Sequence, residues 1–299
     1  MIEPWAKQVE ADSNGRIRVQ ISPSMQLGGK PPQLYDQVRD GVVDIAWTLL
    51  GYTPGRFPIA EVFELPFMVT TAEATTQAAQ AFSEKHLQDE LGHVHPLLVH
   101  VHAPGKFHLA TKPVKQLEDL KGMKIRAPSR TVTDALNALG ATPVGMPVPE
   151  VSQSLSMRVI DGAVIPWEVA LPLRIHEVTQ YHTEFGGEHG FYTAVFLFAM
   201  NKSKYESLPD DLKAVIDNNS GMNLAQRVGR AFDEAEEPGR QAAVERGNEI
   251  TVIPAEDVER WKEATQPVIE AWVESMNDRG LEGEKLLEEA RSLIDQYSQ

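Results

Sequence analysis

Short apolar β runs alternate with helical stretches along almost the whole chain, and this alternation limits the fold more than any other feature. Residues 16–21 alternate as a strand, and 31–42 read as a helix ending near Gly41. Residues 43–49 form an apolar run of the kind buried on both faces of a parallel sheet. A helix over 70–91 and a strand over 94–101 follow. A second series then begins, with strands at 106–111, around Ile125 and at Ala163, and a helix over 131–139. The run 191–200 is long enough to cross back between two bodies, and beyond it 209–246, 256–278 and 282–296 read as helices around a short strand at 249–253. Strands and helices spaced in this way predict an α/β fold with mostly parallel sheets, helices on both faces and long C-terminal helices.

No internal repeat or low-complexity linker interrupts the pattern. A chain of 299 residues buries a large core and is expected to divide into two lobes. The expected division is discontinuous: 1–103 with 191–231, and 104–190 with 232–299, the helical region near 205–246 bridging both. Several crossings without a flexible linker suit hinge closure over a ligand.

Composition removes several functions. With no cysteine there is no disulfide, no thiolate metal site and no thiol nucleophile. A net charge of −15 disfavours nucleic acid and anionic membrane surfaces as partners. Residues 233–299 hold 18 acidic against 7 basic side chains, which reads as a solvated helical face. The longest apolar run, 191–200, falls short of the roughly 20 residues that span a bilayer.

The segment 117–168 carries the chemistry. Lys121-Gly122 turns the chain into a short β run ending at Arg126, and Pro128 stops it by removing a backbone donor. Arg126 therefore sits at the carboxyl end of a strand, the end that faces the ligand crevice in open α/β sheets. A planar guanidinium there grips a carboxylate with two parallel hydrogen bonds, unless it is a structural arginine paired with a nearby acid.

Residues 117–168 resemble the signature region of the solute receptors of TRAP transporters (tripartite ATP-independent periplasmic transporters), the dicarboxylate-binding-protein family. The motifs are Asp119 to Pro128, Gly140 to Pro143, Glu150 and Ile160-Asp161-Gly162. In the family's order there follow, elsewhere in the chain, Asn14 to Val19, Gln26-Leu27-Gly28, Gly41 to Ala46, Glu64-Leu65-Pro66-Phe67 and Met200-Asn201-Lys202. Each is weak alone, and the ordered set is specific. The resemblance implies a two-lobe periplasmic-binding-protein-like fold. It also implies a receptor outside the cytoplasm that binds a small organic carboxylate between its lobes and delivers it to a membrane permease, as a monomer. Family members normally carry a secretion signal and a first β-strand before the helix that opens this chain at Met1, so both are expected upstream.

The same comparison nominates the site. Arg126 is the carboxylate anchor, and Lys106 falls where many members carry a second arginine; a lysine keeps the charge and loses the fork. Ile165 replaces the Asn that acidic-sugar binders often have, which argues for a smaller or more apolar ligand. Trp167 either stacks on the ligand or packs between lobes, and Glu168 either meets a ligand hydroxyl or ammonium or only complements a helix dipole. Trp47, Thr48 and Lys30 match first-lobe stretches where the family touches its ligand.

The histidine pairs His93/His95 and His100/His102, with His108, are read as satisfied or exposed, since zinc needs three or four converging ligands. No nucleophile elbow, phosphate loop or His-Glu-x-x-His is present, so no catalysis, metal or cofactor is expected. The preferred ligand is a small or aromatic monocarboxylate. The alternatives are a small amine or zwitterion held by Glu168 and the tryptophans, and an enzyme of similar fold.

Overall fold

Nine strands divide between two sheets in the computed structural model, which describes residues 1–299. They are β1 (Ile45–Leu49), β2 (Val94–Val101), β3 (Lys106–Leu109), β4 (Lys124–Ala127), β5 (Thr142–Gly145), β6 (Gly162–Ile165), β7 (Tyr181–Phe185), β8 (Val195–Asn201) and β9 (Glu249–Ile253). The smaller sheet has the order β1-β8-β2 and is antiparallel throughout. The larger has the order β5-β4-β6-β3-β7-β9, with β5-β4, β4-β6 and β7-β9 parallel and β3 antiparallel to both its neighbours. Parallel pairing is therefore confined to the larger sheet, where mostly parallel sheets were expected. The smaller sheet is antiparallel because β8 returns from the other lobe and inserts between β1 and β2.

Helices cover both faces of each sheet. In β8 the alternation is clear: Val195, Leu197 and Ala199 enter a first core with Phe82 and Leu286, while Phe198 and Met200 face Trp5, Leu224 and Val228. The larger sheet packs Ile125, Val132, Leu136 and Trp261 on one side and Leu155, Ala163, Ile165 and Trp167 on the other. Helix Arg130–Ala138 starts at Ser129, whose hydroxyl accepts the Val132 N–H, and helix Ala72–His86 starts likewise at Thr71.

Residues 16–21 form no strand. Ile17 and Val19 pack inward while Arg16, Arg18 and Gln20 stay exposed, so the period of two is real, but no neighbouring backbone completes a ladder. The run 43–49 is likewise not buried on both faces, since β1 is an edge strand and Trp47 is 36% exposed. The C-terminal segment 232–299, expected with the second lobe, is shared. Val258 and Trp261 enter the larger sheet's core, whereas Ile269, Trp272, Met276 and Ile294 enter the first core. Helix Ala255–Asp278 thus has one end in each lobe.

Crossing segments tie the lobes together. The Gly105 N–H donates to the Tyr192 carbonyl at 2.8 Å, the Thr193 hydroxyl to the His102 carbonyl at 2.7 Å, and the Phe67 N–H to the Phe191 carbonyl at 3.0 Å. The long helix Gly221–Glu245 then spans both lobes. Its Asp233 accepts the N–H groups of Ala72 and Glu73 in one lobe, each at 2.8 Å, and its Glu236 accepts the Glu168 N–H in the other at 2.9 Å. Close approach at both contacts needs glycine: a Cβ on Gly229 would lie 2.5 Å from the Glu73 Cα, and one on Gly239 would lie 2.1 Å from the Trp167 carbonyl oxygen.

In an open helix Gly→Ala stabilises by about 1 kcal/mol. Here Gly229→Ala and Gly239→Ala should each destabilise by about 2 kcal/mol, because overpacking against fixed backbone outweighs propensity. Denaturant unfolding of the two variants reads the sign directly.

Candidate functional site

Arg126 lies in β4, flanked by β5 and β6, and only 2% of it is exposed. Its Nε donates to the Met146 carbonyl at 3.0 Å and its Nη1 to the Val164 carbonyl at 3.3 Å. It makes no ion pair, although 21 ion pairs form elsewhere in the chain. The structural alternative, an arginine paired with a nearby acid, is thereby removed. Burial lowers its pKa, opposed by the nearby hydroxyls of Tyr192 and Tyr52. A buried cation held only by neutral carbonyls and the Tyr52 hydroxyl, with no acid beside it, is costly.

Two tyrosines frame that cation. The Tyr192 hydroxyl donates to the same Val164 carbonyl at 2.7 Å, and the Tyr52 hydroxyl accepts the Val148 N–H at 3.0 Å. The second contact joins the lobes, as does the Arg130–Glu61 pair at 2.7 Å. Beside them Glu64 is 2% exposed and accepts the Val195 N–H at 3.0 Å, with Ser129 as a second partner, while its Oε2 has none. Burial pushes its carboxyl up to about 7.

An aromatic cluster lies in the first lobe. Trp47 stacks on Phe196 at 5.1 Å, while His100 lies nearly coplanar with it, ring centroids 6.0 Å apart, and accepts the indole N–H at its Nε2 at 2.8 Å. That bond requires a neutral His100, consistent with burial pushing its pKa down to about 3. Thr48, one residue on, points to the opposite face of β1 and is buried. Lys30 is exposed on its turn, and only its backbone is engaged, donating to Gln33.

The second-lobe candidates separate. Lys106 is paired with Glu236, so its charge is already balanced. Trp167 is 1% exposed, packed against His108 and His182 at 4.7 Å each, and donates to Glu184 at 2.8 Å. Its ring is a core element, which corrects the stacking role. Ile165 is buried in the same core, alternating with Val164 along β6. The Glu168 carboxyl bonds to nothing, and burial together with Glu236 pushes it up to about 7.

His108 and His182 meet through their Nδ1 atoms at 2.8 Å inside the larger sheet, and burial lowers the pKa of both. No group of three or more histidine or acidic side chains converges as a metal site would. An open cleft of about 330 Å³ occurs elsewhere, where helix Ala255–Asp278 passes between lobes, lined by Phe67, His189, Lys262, Gln266 and Arg291. It contains none of the buried, unpaired charge described here. Tyr52, Tyr192 and Glu236 were not foreseen, and Glu64 was visible only as part of its Glu-Leu-Pro-Phe motif.

Two lobes tied by crossing segments, with a buried cation that lacks a counter-charge in one of them, suit a solute receptor. Residues 1–275 match the model of the bacterial extracellular solute-binding proteins, family 7, and the chain belongs to that family. A TRAP solute-binding protein from a marine metagenome, described as specific for aromatic acid ligands and solved with 3-hydroxybenzoate, is 51% identical over 100% of this chain and 93% of its own, with a TM-score of 0.97. One from Rhodoferax ferrireducens with copurified benzoate is 48% identical over 100% and 93%, with a TM-score of 0.98. A third, from Bordetella bronchiseptica with bound mandelate, is 31% identical over 99% and 93%, with a TM-score of 0.90. The chain is accordingly an extracytoplasmic solute-binding protein of a TRAP-type transporter, and not an enzyme. No helix is long and apolar enough to cross a membrane.

Glu64 generates a prediction about stability. Its pKa is higher folded than unfolded, so between pH about 4.5 and 7 the native state holds a proton that the unfolded chain has released, and stability falls as pH rises. Relative to Glu64→Gln, the parent should lose up to about 3 kcal/mol between pH 5 and pH 8. Urea unfolding of both proteins at the two pH values checks this.

Proposed function

We propose that this protein captures a small aromatic monocarboxylate in the periplasm, as a monomer, and closes its two lobes over it for delivery to a TRAP permease. The observation that carries the reading is Arg126, a buried guanidinium with no acidic partner, within electrostatic reach of His102, whose ring meets Phe196 and through it the aromatic wall of Trp47. A benzoate-like solute matches both halves: its carboxylate takes the fork and its ring takes the apolar wall. The benzoate and hydroxybenzoate found with relatives at 48% and 51% identity support the same class. Lys106 is spent on Glu236 and adds no second anchor, which favours one carboxylate over two.

Because Arg126 is almost fully buried, the solute reaches it only when the lobes part. The moving bodies in this reading are the two sheets with their helices, and the crossings near residues 67, 103 and 192 carry the hinge. Ligand then shifts an open-closed equilibrium through contacts with both.

Arg126→Ala should weaken benzoate binding by about 3 kcal/mol or more, over a hundredfold, and Arg126→Lys should also bind poorly because the fork is lost. Calorimetry measures it. Benzoate binding Arg126→Ala as tightly as the parent would remove the anchor.

A further inference from the structure

Glu168 is the acid of the second-lobe wall that the rest of the protein leaves unused. Around it every polar group has a partner: Trp167 donates to Glu184, Glu184 also holds Arg240, Lys106 pairs with Glu236, and the Tyr192 hydroxyl is bound to Val164. Glu236 further accepts the Glu168 backbone N–H, which fixes the base of the side chain. Only the Glu168 carboxyl makes neither a hydrogen bond nor an ion pair, and it stays partly accessible. Structural acids in such surroundings are tied down, as Asp233 and Glu236 are.

Its position relative to the anchor is set by one short stretch of chain. Val164, whose carbonyl holds Arg126, precedes Glu168 by four residues, so their backbones are at most about 14 Å apart. The Tyr192 hydroxyl is within electrostatic reach of Arg126 and Glu168 alike.

We infer that a ring whose carboxylate rests on Arg126 turns its far edge toward Glu168, and that Glu168 is the specificity-determining residue for a ring hydroxyl meta or para to the carboxylate, donating a hydrogen bond to it or accepting one from it. This rests on the aromatic-acid reading above. A hydroxyl suits the site better than an ammonium, because burial favours the neutral carboxyl, which both donates and accepts, as a hydroxyl does.

The test is a calorimetric panel of benzoate and 2-, 3- and 4-hydroxybenzoate against the parent, Glu168→Ala and Glu168→Gln. The parent should prefer the 3- or the 4-hydroxy acid to benzoate. Glu168→Ala should lose that preference by about tenfold and bind benzoate and 2-hydroxybenzoate as before, since an ortho hydroxyl lies at the Arg126 end. Glu168→Gln, which also donates and accepts, should keep most of the preference. An unchanged preference in Glu168→Ala overturns the assignment, and so does an equal loss of all four acids, which would make Glu168 structural. Failure of the folded parent to bind any of the four overturns the aromatic-acid reading itself and the assignment with it.

Discussion

An uncompensated buried cation governs this molecule. Arg126 is enclosed by β4, β5 and β6, with two backbone carbonyls and the Tyr52 hydroxyl as its hydrogen-bond partners and no acid to neutralise it. Isolated buried charge is among the most unfavourable features a fold can hold, and such charges are normally paired. The surrounding hydroxyls of Tyr52 and Tyr192 soften that cost without removing it. In the proposed complex the missing counter-charge arrives with the solute, so affinity is drawn from an imbalance already present in the empty protein.

The lobes can preserve that arrangement because the long helix Gly221–Glu245 is fixed to each of them. Asp233 and Glu236 lie one turn apart and accept N–H groups at the starts of two different helices, one per lobe. Gly229 and Gly239 bring the same helix into backbone contact on both sides. Relative movement is thereby limited to rotations this strut tolerates, while the lighter contacts across the mouth, Tyr52 to Val148 and Arg130 to Glu61, can break and re-form.

Much of this was legible in sequence, and the failures have identifiable causes. Pro128 and the glycine turn marked the strand that ends at Arg126, and the strands at Val94–Val101 and Glu249–Ile253 stood out by their apolar runs. Gly140 to Pro143 entered only as a motif and Thr142–Gly145 was not read as a strand, yet β5 is an edge strand, where proline interrupts no ladder. Tyr181–Phe185 is too polar to register as a strand and owes its conformation to β3 and β9. Lys106 was offered as a free charge because its partner, Glu236, lies 130 positions away. Trp167 misled for a similar reason: Glu184 and the His108–His182 pair that enclose it are distant in the chain. Spacing along a chain reports the face a residue occupies, and it says nothing of the partner the fold will bring there.

The groups that aim Arg126 are the carbonyl oxygens of Met146 and Val164, and every amino acid supplies a carbonyl. Substitution at either position leaves the aim of the guanidinium intact as long as the strands keep their register. In the proposed complex selectivity rests instead on side chains, Trp47 and Phe196 on one wall and Glu168 on the other. A lineage carrying this scaffold can therefore exchange one acid for another by changing a few wall residues, while the part that recognises acids in general is inherited unaltered.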